Sequence, residues 1–206
     1  MKRLIQLAKR IKDKQLREKV IDLLNNPKLS SEAFKKYKPE EISKVKTPFT
    51  VGNVTVERGN LIRHTIAVTE LSVQAAKILE NQYGIPIDED SLIAAAILHD
   101  LMKIFEWKIE KNEPKHTGIL LDHSILCAAE LYHRNFPEKV IHIVASHFGE
   151  SGPTPPRNFE ALILHYIDTL LSLVESHLYS SSTQPLQLVV LDEETIKKLA
   201  GEDTEK

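Results

Sequence analysis

Cysteine is almost absent: Cys127 is the only one in 206 residues, which excludes an internal disulfide and any cysteine-rich zinc site. It stands among Leu126, Ala128 and Ala129 and reads as a small core residue rather than a nucleophile. Net charge is also scarce, at -2, so the chain lacks the overall basic field that drives tight non-specific nucleic-acid binding. No apolar run approaches a membrane span. The stretch from Met1 to Lys19 is too charged for a signal peptide, so a cytoplasmic location with no membrane partner is expected. There is no internal repeat, and no low-complexity segment beyond Ser180-Ser181-Ser182. The rest is an ordinary globular balance, 42% hydrophobic and 27% charged, long enough for one domain with a sizeable core.

Periodicity supplies the elements. Leu4, Leu7, Ile11, Leu16, Val20 and Leu24 predict one amphipathic helix ending near Asn25-Asn26-Pro27. Its outer face is basic (Lys2, Arg3, Lys9, Arg10, Lys12, Lys14, Arg17 and Lys19 against Asp13 and Glu18), which reads as a solvated surface that can also meet phosphates. A short helix follows, capped by Ser30 or Ser31. Phe49, Val51, Val54 and Val56 around Gly52-Asn53 predict a two-residue hairpin, the one β element expected. Helices are then expected from Leu61 to Gln82, from Asp88 or Asp90 to His99-Asp100, from Leu120 to Asn135, from Pro137 to His147 and from Asn158 to Tyr179. Asn112 to Thr117 reads as a polar loop and Gly149 to Pro156 as a stiff proline-rich one. Beyond Tyr179, Leu186 to Leu191 is expected to form a short strand or turn, and Asp192 to Lys206 a short helix with a frayed end. The fold class is all-α.

Chemistry concentrates at Leu98-His99-Asp100-Leu101-Met102-Lys103, the polar end of the apolar run Leu92 to Leu98. A carboxylate buried there needs a partner or a metal, and imidazole plus carboxylate suits divalent Mn, Fe, Co, Ni or Zn. Lys103, three residues after Asp100 and four after His99, shares their face on a helix. Further ligand-type residues stand on separate apolar helices: His64 after Leu61-Ile62, His123 before Ile125-Leu126, His147 after Ile143-Val144, and Asp168 inside Ile163 to Leu171. Taken singly, each histidine reads as a hydrogen-bonded core or surface residue. The order His, His-Asp, Asp across successive core helices points to a metal. His165, three residues before Asp168, either orients that carboxylate or fills space.

That order resembles the HD-domain superfamily of metal-dependent phosphohydrolases over roughly Asn60 to Glu175. The resemblance implies a divalent metal held by His64, His99, Asp100 and Asp168, with His123 and His147 in the places of a second site. Met102 stands where the family's doublet is often followed by glycine. The chain is most similar to the branch containing HD-type 3′-5′ exoribonucleases, on Ser146-His147-Phe148-Gly149, Gly152-Pro153-Thr154-Pro155-Pro156, Glu160-Ala161 and Leu164 to Asp168. Phe148 replaces that branch's second histidine, and the first fifty residues are too short for its OB-fold, a nucleic-acid platform.

The resulting expectation is one structural domain: an N-terminal helical extension (1–46), an HD-type metal-binding helical unit (47–179, with the hairpin at 47–59) and a C-terminal extension (180–206). The expected activity is hydrolysis of a nucleotide or other small phosphate ester through metal-activated water. Asp100 and Lys103 are the catalytic residues; Lys103, Arg58, Arg63 and Arg157 are the phosphate contacts. One tight Mn, Ni, Co, Fe or Zn site is expected, with a weaker second one at most. Two rival readings stay open: a 3′-5′ exonuclease on single-stranded RNA or DNA that uses the basic N-terminal helix, and a non-catalytic metal- or nucleotide-binding regulator. Oligomeric state is open, a homodimer being one outcome.

Overall fold

The computed structural model describes residues 1–51, 54–111 and 113–179, with backbone alone for 46–51, 54–59 and 179. Helix α1 spans Lys2–Ala8 and α2 Lys14–Asn25. A 3-10 turn, Glu32–Phe34, follows Ser31. Strands β1 (Lys46–Val51) and β2 (Val54–Asn60) precede α3 (Leu61–Tyr83) and α4 (Glu89–Leu98). A short α5 (Lys103–Glu106) leads into β3 (Trp107–Glu110) and β4 (Glu113–His116). Then come α6 (His123–His133), α7 (Glu138–Ala145) and α8 (Phe159–Tyr179).

The architecture is built around α4. Every residue from Ser91 to Leu98 is buried, and a helix that is apolar all round must be enclosed by others. Helices α1, α2, α3, α7 and α8 all pack against it. Each fully buried aliphatic side chain there contributes roughly 1.5–3 kcal/mol. Asp88 starts the helix as its N-cap, accepting from the Ser91 amide at 3.0 Å. The buried side chains form one cluster running from Leu4 to Leu164, so α1 and α2 share the core of the later helices. The polar end of α4 therefore opens at the centre of the molecule.

The helical class is borne out, as is the hairpin at 46–60, where Val51 pairs with Val54 and Phe49 with Val56 in an antiparallel ladder. The Gly52-Asn53 turn itself lies outside the described residues. So do the expected elements at Leu186 to Leu191 and Asp192 to Lys206.

Three boundaries differ from the sequence reading. The N-terminal helix is two helices, because Asp90 accepts hydrogen bonds from the Lys12 and Asp13 amides at 2.9 and 2.8 Å and Asp13 caps α2 through the Leu16 amide. Residues 112–117, expected to be a loop, include β4, which pairs with β3 through Trp107–His116 and Ile109–Pro114. Helix α6 starts at His123 rather than Leu120 because Asp122 caps it, accepting from the Ser124 and Ile125 amides.

Candidate metal centre

Four histidines and two aspartates converge where α3, α4, α6, α7 and α8 meet. Asn60 caps α3 by accepting from the Ile62 and Arg63 amides, which places His64 in the first turn, facing inward and 1% exposed. Beyond the last turn of α4, His99 and Asp100 enter a tight turn in which the Lys103 amide donates to the Asp100 carbonyl. This turn, rather than a continuous helix, brings Lys103 Nζ to 2.7 Å from Asp100 Oδ2. His123 opens α6, His147 follows the end of α7, and Asp168 lies midway along α8.

The two oxygens of Asp100 face different histidines. Oδ2 lies 3.6 Å from His99 Nε2 and 3.7 Å from His64 Nε2. Oδ1 lies 3.2 Å from His123 Nε2 and 3.9 Å from His147 Nε2. Asp168 Oδ1 completes the first half, 2.9 Å from His64 Nε2 and 3.8 Å from His99 Nε2. Two groups with converging donor atoms result, His64–His99–Asp100 and Asp100–His123–His147, joined by the one carboxylate.

The outer nitrogens settle the tautomers. His99 Nδ1 lies 2.8 Å from the Ala96 carbonyl and His147 Nδ1 2.6 Å from the Val144 carbonyl. A carbonyl only accepts, so both Nδ1 atoms carry a proton and both rings turn Nε2 inward. His123 Nδ1 sits 2.8 Å from Glu106 Oε2. His64 Nδ1 faces Glu175 Oε2 at 3.3 Å, within ion-pair reach but without hydrogen-bond alignment. The Nε2 atoms of His99, His123 and His147 are buried without a hydrogen-bond partner among the described residues. Buried polar atoms are rarely left so, and a divalent cation would satisfy them together. Two donors each about 2.1 Å from one ion lie about 3.0–3.4 Å apart at tetrahedral to octahedral angles, close to the spacings here. The residues fit a metal.

Electrostatics agree. Burial pushes the Asp100 carboxyl up, but Lys103, His99 and His123 outweigh it and hold it well below the usual carboxylate range. Asp168 is likewise held low against burial by His64 and His99. Burial, with His99 and His123 alongside, brings His147 down to about 3 and keeps it neutral. For His64 and His123 burial is outweighed the other way, by Asp168 and Glu175 and by Asp100 and Glu106, and both are raised. That local excess of negative charge favours a proton on either ring, and favours a divalent cation more.

The phosphate contacts expected from the sequence are less gathered. Lys103 is buried beside Asp100. Arg63 is exposed, one residue before His64, and Arg157 is exposed with its amide donating to His142 Nε2 at 3.1 Å. Arg58 lies in β2, and its side chain is outside the described residues. His165 turns its Nδ1 toward the end of α7: it donates to the His147 carbonyl at 2.8 Å, bracing the backbone behind that histidine. Ser172, one turn further along α8, donates to Asp168 Oδ1 instead, at 3.3 Å. Phe148 packs its ring on those of His147 and His123. Glu106 and Glu175 were not anticipated. The signal was their spacing, three residues after Lys103 and seven after Asp168 on the same helices.

A buried His, His-Asp, Asp set on successive helices defines a class, and the comparisons agree with it. The family model described as HD domain matches residues 61–200, and the chain belongs to that family. It is 43% identical over 170 residues to a dihydroneopterin 2′,3′-cyclic phosphate phosphodiesterase of Methanocaldococcus jannaschii, covering 82% of this chain and 67% of that protein. No solved structure matches the chain. The protein is a phosphohydrolase of the HD family, and the family's members bind divalent metals.

Proposed function

We propose that this protein hydrolyses a small phosphodiester, with a 2′,3′-cyclic phosphate like that of its relative as the substrate class, at a centre held by His64, His99, Asp100 and Asp168 on one side and by Asp100, His123 and His147 on the other. The observation that carries this reading is the set of inward Nε2 atoms arranged about the two oxygens of one buried aspartate.

A divalent ion held by these residues would supply Lewis-acid polarisation of the phosphoryl group and acidify a water towards neutral pH. The chain's own residues do the rest. The outward Nδ1 bonds fix the rings of His99, His123 and His147, and Asp168 holds that of His64 through Nε2 at 2.9 Å, so the donors are already oriented toward the centre. Lys103 keeps Asp100 ionised through its 2.7 Å contact and brings a cation to the edge of the pocket, where a non-bridging phosphate oxygen gains from it. Arg63, exposed beside His64, and Arg58 and Arg157 supply further charge for the phosphate.

The test supplies Mn²⁺, Ni²⁺, Co²⁺, Fe²⁺, Zn²⁺ and Mg²⁺ in turn. It compares dihydroneopterin 2′,3′-cyclic phosphate and 2′,3′-cyclic AMP with a phosphomonoester and single-stranded RNA. Cyclic diester turnover should dominate and fall by on the order of a thousandfold or more in Asp100→Ala. RNA turnover above that of the cyclic diesters would favour the exonuclease. A metal-loaded protein that turns over none of them would favour the regulatory reading.

A further inference from the structure

Each half of the centre has one backbone carbonyl and one carboxylate behind its histidines. In the first, His99 donates to a backbone carbonyl and His64 faces the carboxylate of Glu175. In the second, His147 donates to a backbone carbonyl and His123 faces the carboxylate of Glu106. A carbonyl fixes the ring, whereas a carboxylate fixes it and also makes its inner nitrogen more basic. Both acids are set deep: the side chains of Glu175 and Glu106 are 11% and 13% exposed, each across one imidazole from an aspartate of the centre, Asp168 and Asp100. A negative charge so placed is unfavourable unless a cation offsets it. Among the described residues, the basic group within ion-pair reach of Glu106 besides His123 is His116, whose Nε2 lies 3.9 Å from Oε1. The two carboxylates come from separate elements, α8 and α5, so each can act on one half without moving the other.

Resting on the metal centre proposed above, we infer that Glu175 and Glu106 are positioning residues that set the affinity of the two metal positions separately. Glu175 acts through His64 on the His64–His99 half, and Glu106 acts through His123 on the His123–His147 half. The pairing makes metal occupancy tunable one ion at a time.

The experiment titrates metal-stripped protein with Mn²⁺ alone by calorimetry, as wild type and as Glu106→Ala, Glu106→Gln, Glu175→Ala and Glu175→Gln. Apo-protein melting curves accompany it to register folding. Wild type should bind two ions. Each alanine variant should weaken one ion by about 10–100-fold and leave the other within about twofold. The glutamines keep an acceptor for Nδ1–H but lose the charge, and should fall between; they carry the test if an alanine variant fails to fold. In a His147→Ala background one ion should remain, weakened further by Glu175→Ala but not by Glu106→Ala. Variants that weaken both ions alike, or neither, would overturn the inference while leaving the metal centre standing. Wild type that binds a single ion would overturn the Glu106 half. Wild type that binds no Mn²⁺ would overturn the metal centre itself.

Discussion

Gly149 sits at φ +59°, and a Cβ added to it would fall 2.3 Å from His165 Cε1. The ring it would strike is the one that donates to the His147 carbonyl, so the absence of a side chain here keeps His147 braced from behind. A left-handed non-glycine residue carries about 1–3 kcal/mol of strain, and here a clash with a packed ring adds to it. Gly84, at φ +65° with nothing within 4 Å of its virtual Cβ, isolates the strain. Thermal melts should show Gly149→Ala losing more than about 5 °C, and clearly more than Gly84→Ala; equal losses would show that the ring gives way freely. At this scale the sequence was legible wherever a ligand-type residue interrupts an apolar run, as at His64, His99-Asp100, His147 and Asp168. Glu106 and Glu175 escaped notice because a glutamate near a helix end looks solvated until its neighbours are known. The role of His165 turned on direction, which spacing along α8 leaves open.

Glu130 joins two elements far apart in the chain. From α6 it accepts the Ser30 amide at 2.8 Å, the Ser30 hydroxyl at 2.5 Å and Arg134 Nε at 2.7 Å, tying the segment after α2 to the helix that opens with His123. Glu130→Ala leaves the Ser30 amide unpaired and should destabilise by about 1–3 kcal/mol in denaturant titration. Burial raises its carboxyl, but the bonds from Ser30 and Arg134 outweigh burial and hold it below its usual value of 4.5. The folded pKa is thus the lower one, so this contribution is present above about 4.5 and fades as pH falls through the folded value. The stability gap between wild type and Glu130→Gln should therefore narrow on acidification below that pH; a gap that widened would contradict the assignment. The same long-range logic explains which elements the sequence concealed. The break between α1 and α2 is made by Asp90, far along the chain, while both helices bury the same stripe and so read as one period. Strand β3 does alternate, Trp107 and Ile109 with Lys108 and Glu110, but over only four residues, and its partner β4 (Glu113–His116) carries a proline and no apolar alternation, so the pair lacks the length of pattern that marks a strand. Helices α3, α4 and α8 were legible because each combines a long apolar pattern with its own stop or start signal.

Over the whole molecule, the basic N-terminal face is partly spent inside the fold. Arg3 pairs with Glu70 on α3, Arg10 with Glu89 on α4, and Lys14 with Glu18, while Lys19 donates to the Asn135 carbonyl. Arg17 turns back onto the Ile11 carbonyl at 2.7 Å. What remains is a broken row of lysines on a chain of net charge -2, not a continuous track for a strand. A nuclease that neutralises several phosphates loses on the order of a thousandfold in affinity between about 50 and 200 mM salt. A small diester presents one phosphate to the centre, and its kcat/KM should change by less than about threefold over that range. Reversing Lys9 and Lys12 to Glu, neither in the centre, should leave cyclic diester turnover unchanged, while Lys103→Ala lowers kcat for every substrate because its charge lies beside Asp100. A steep salt dependence, together with RNA turnover that collapses on the lysine reversal, would move the activity from a single phosphate at the end of α4 to a strand laid along α1 and α2.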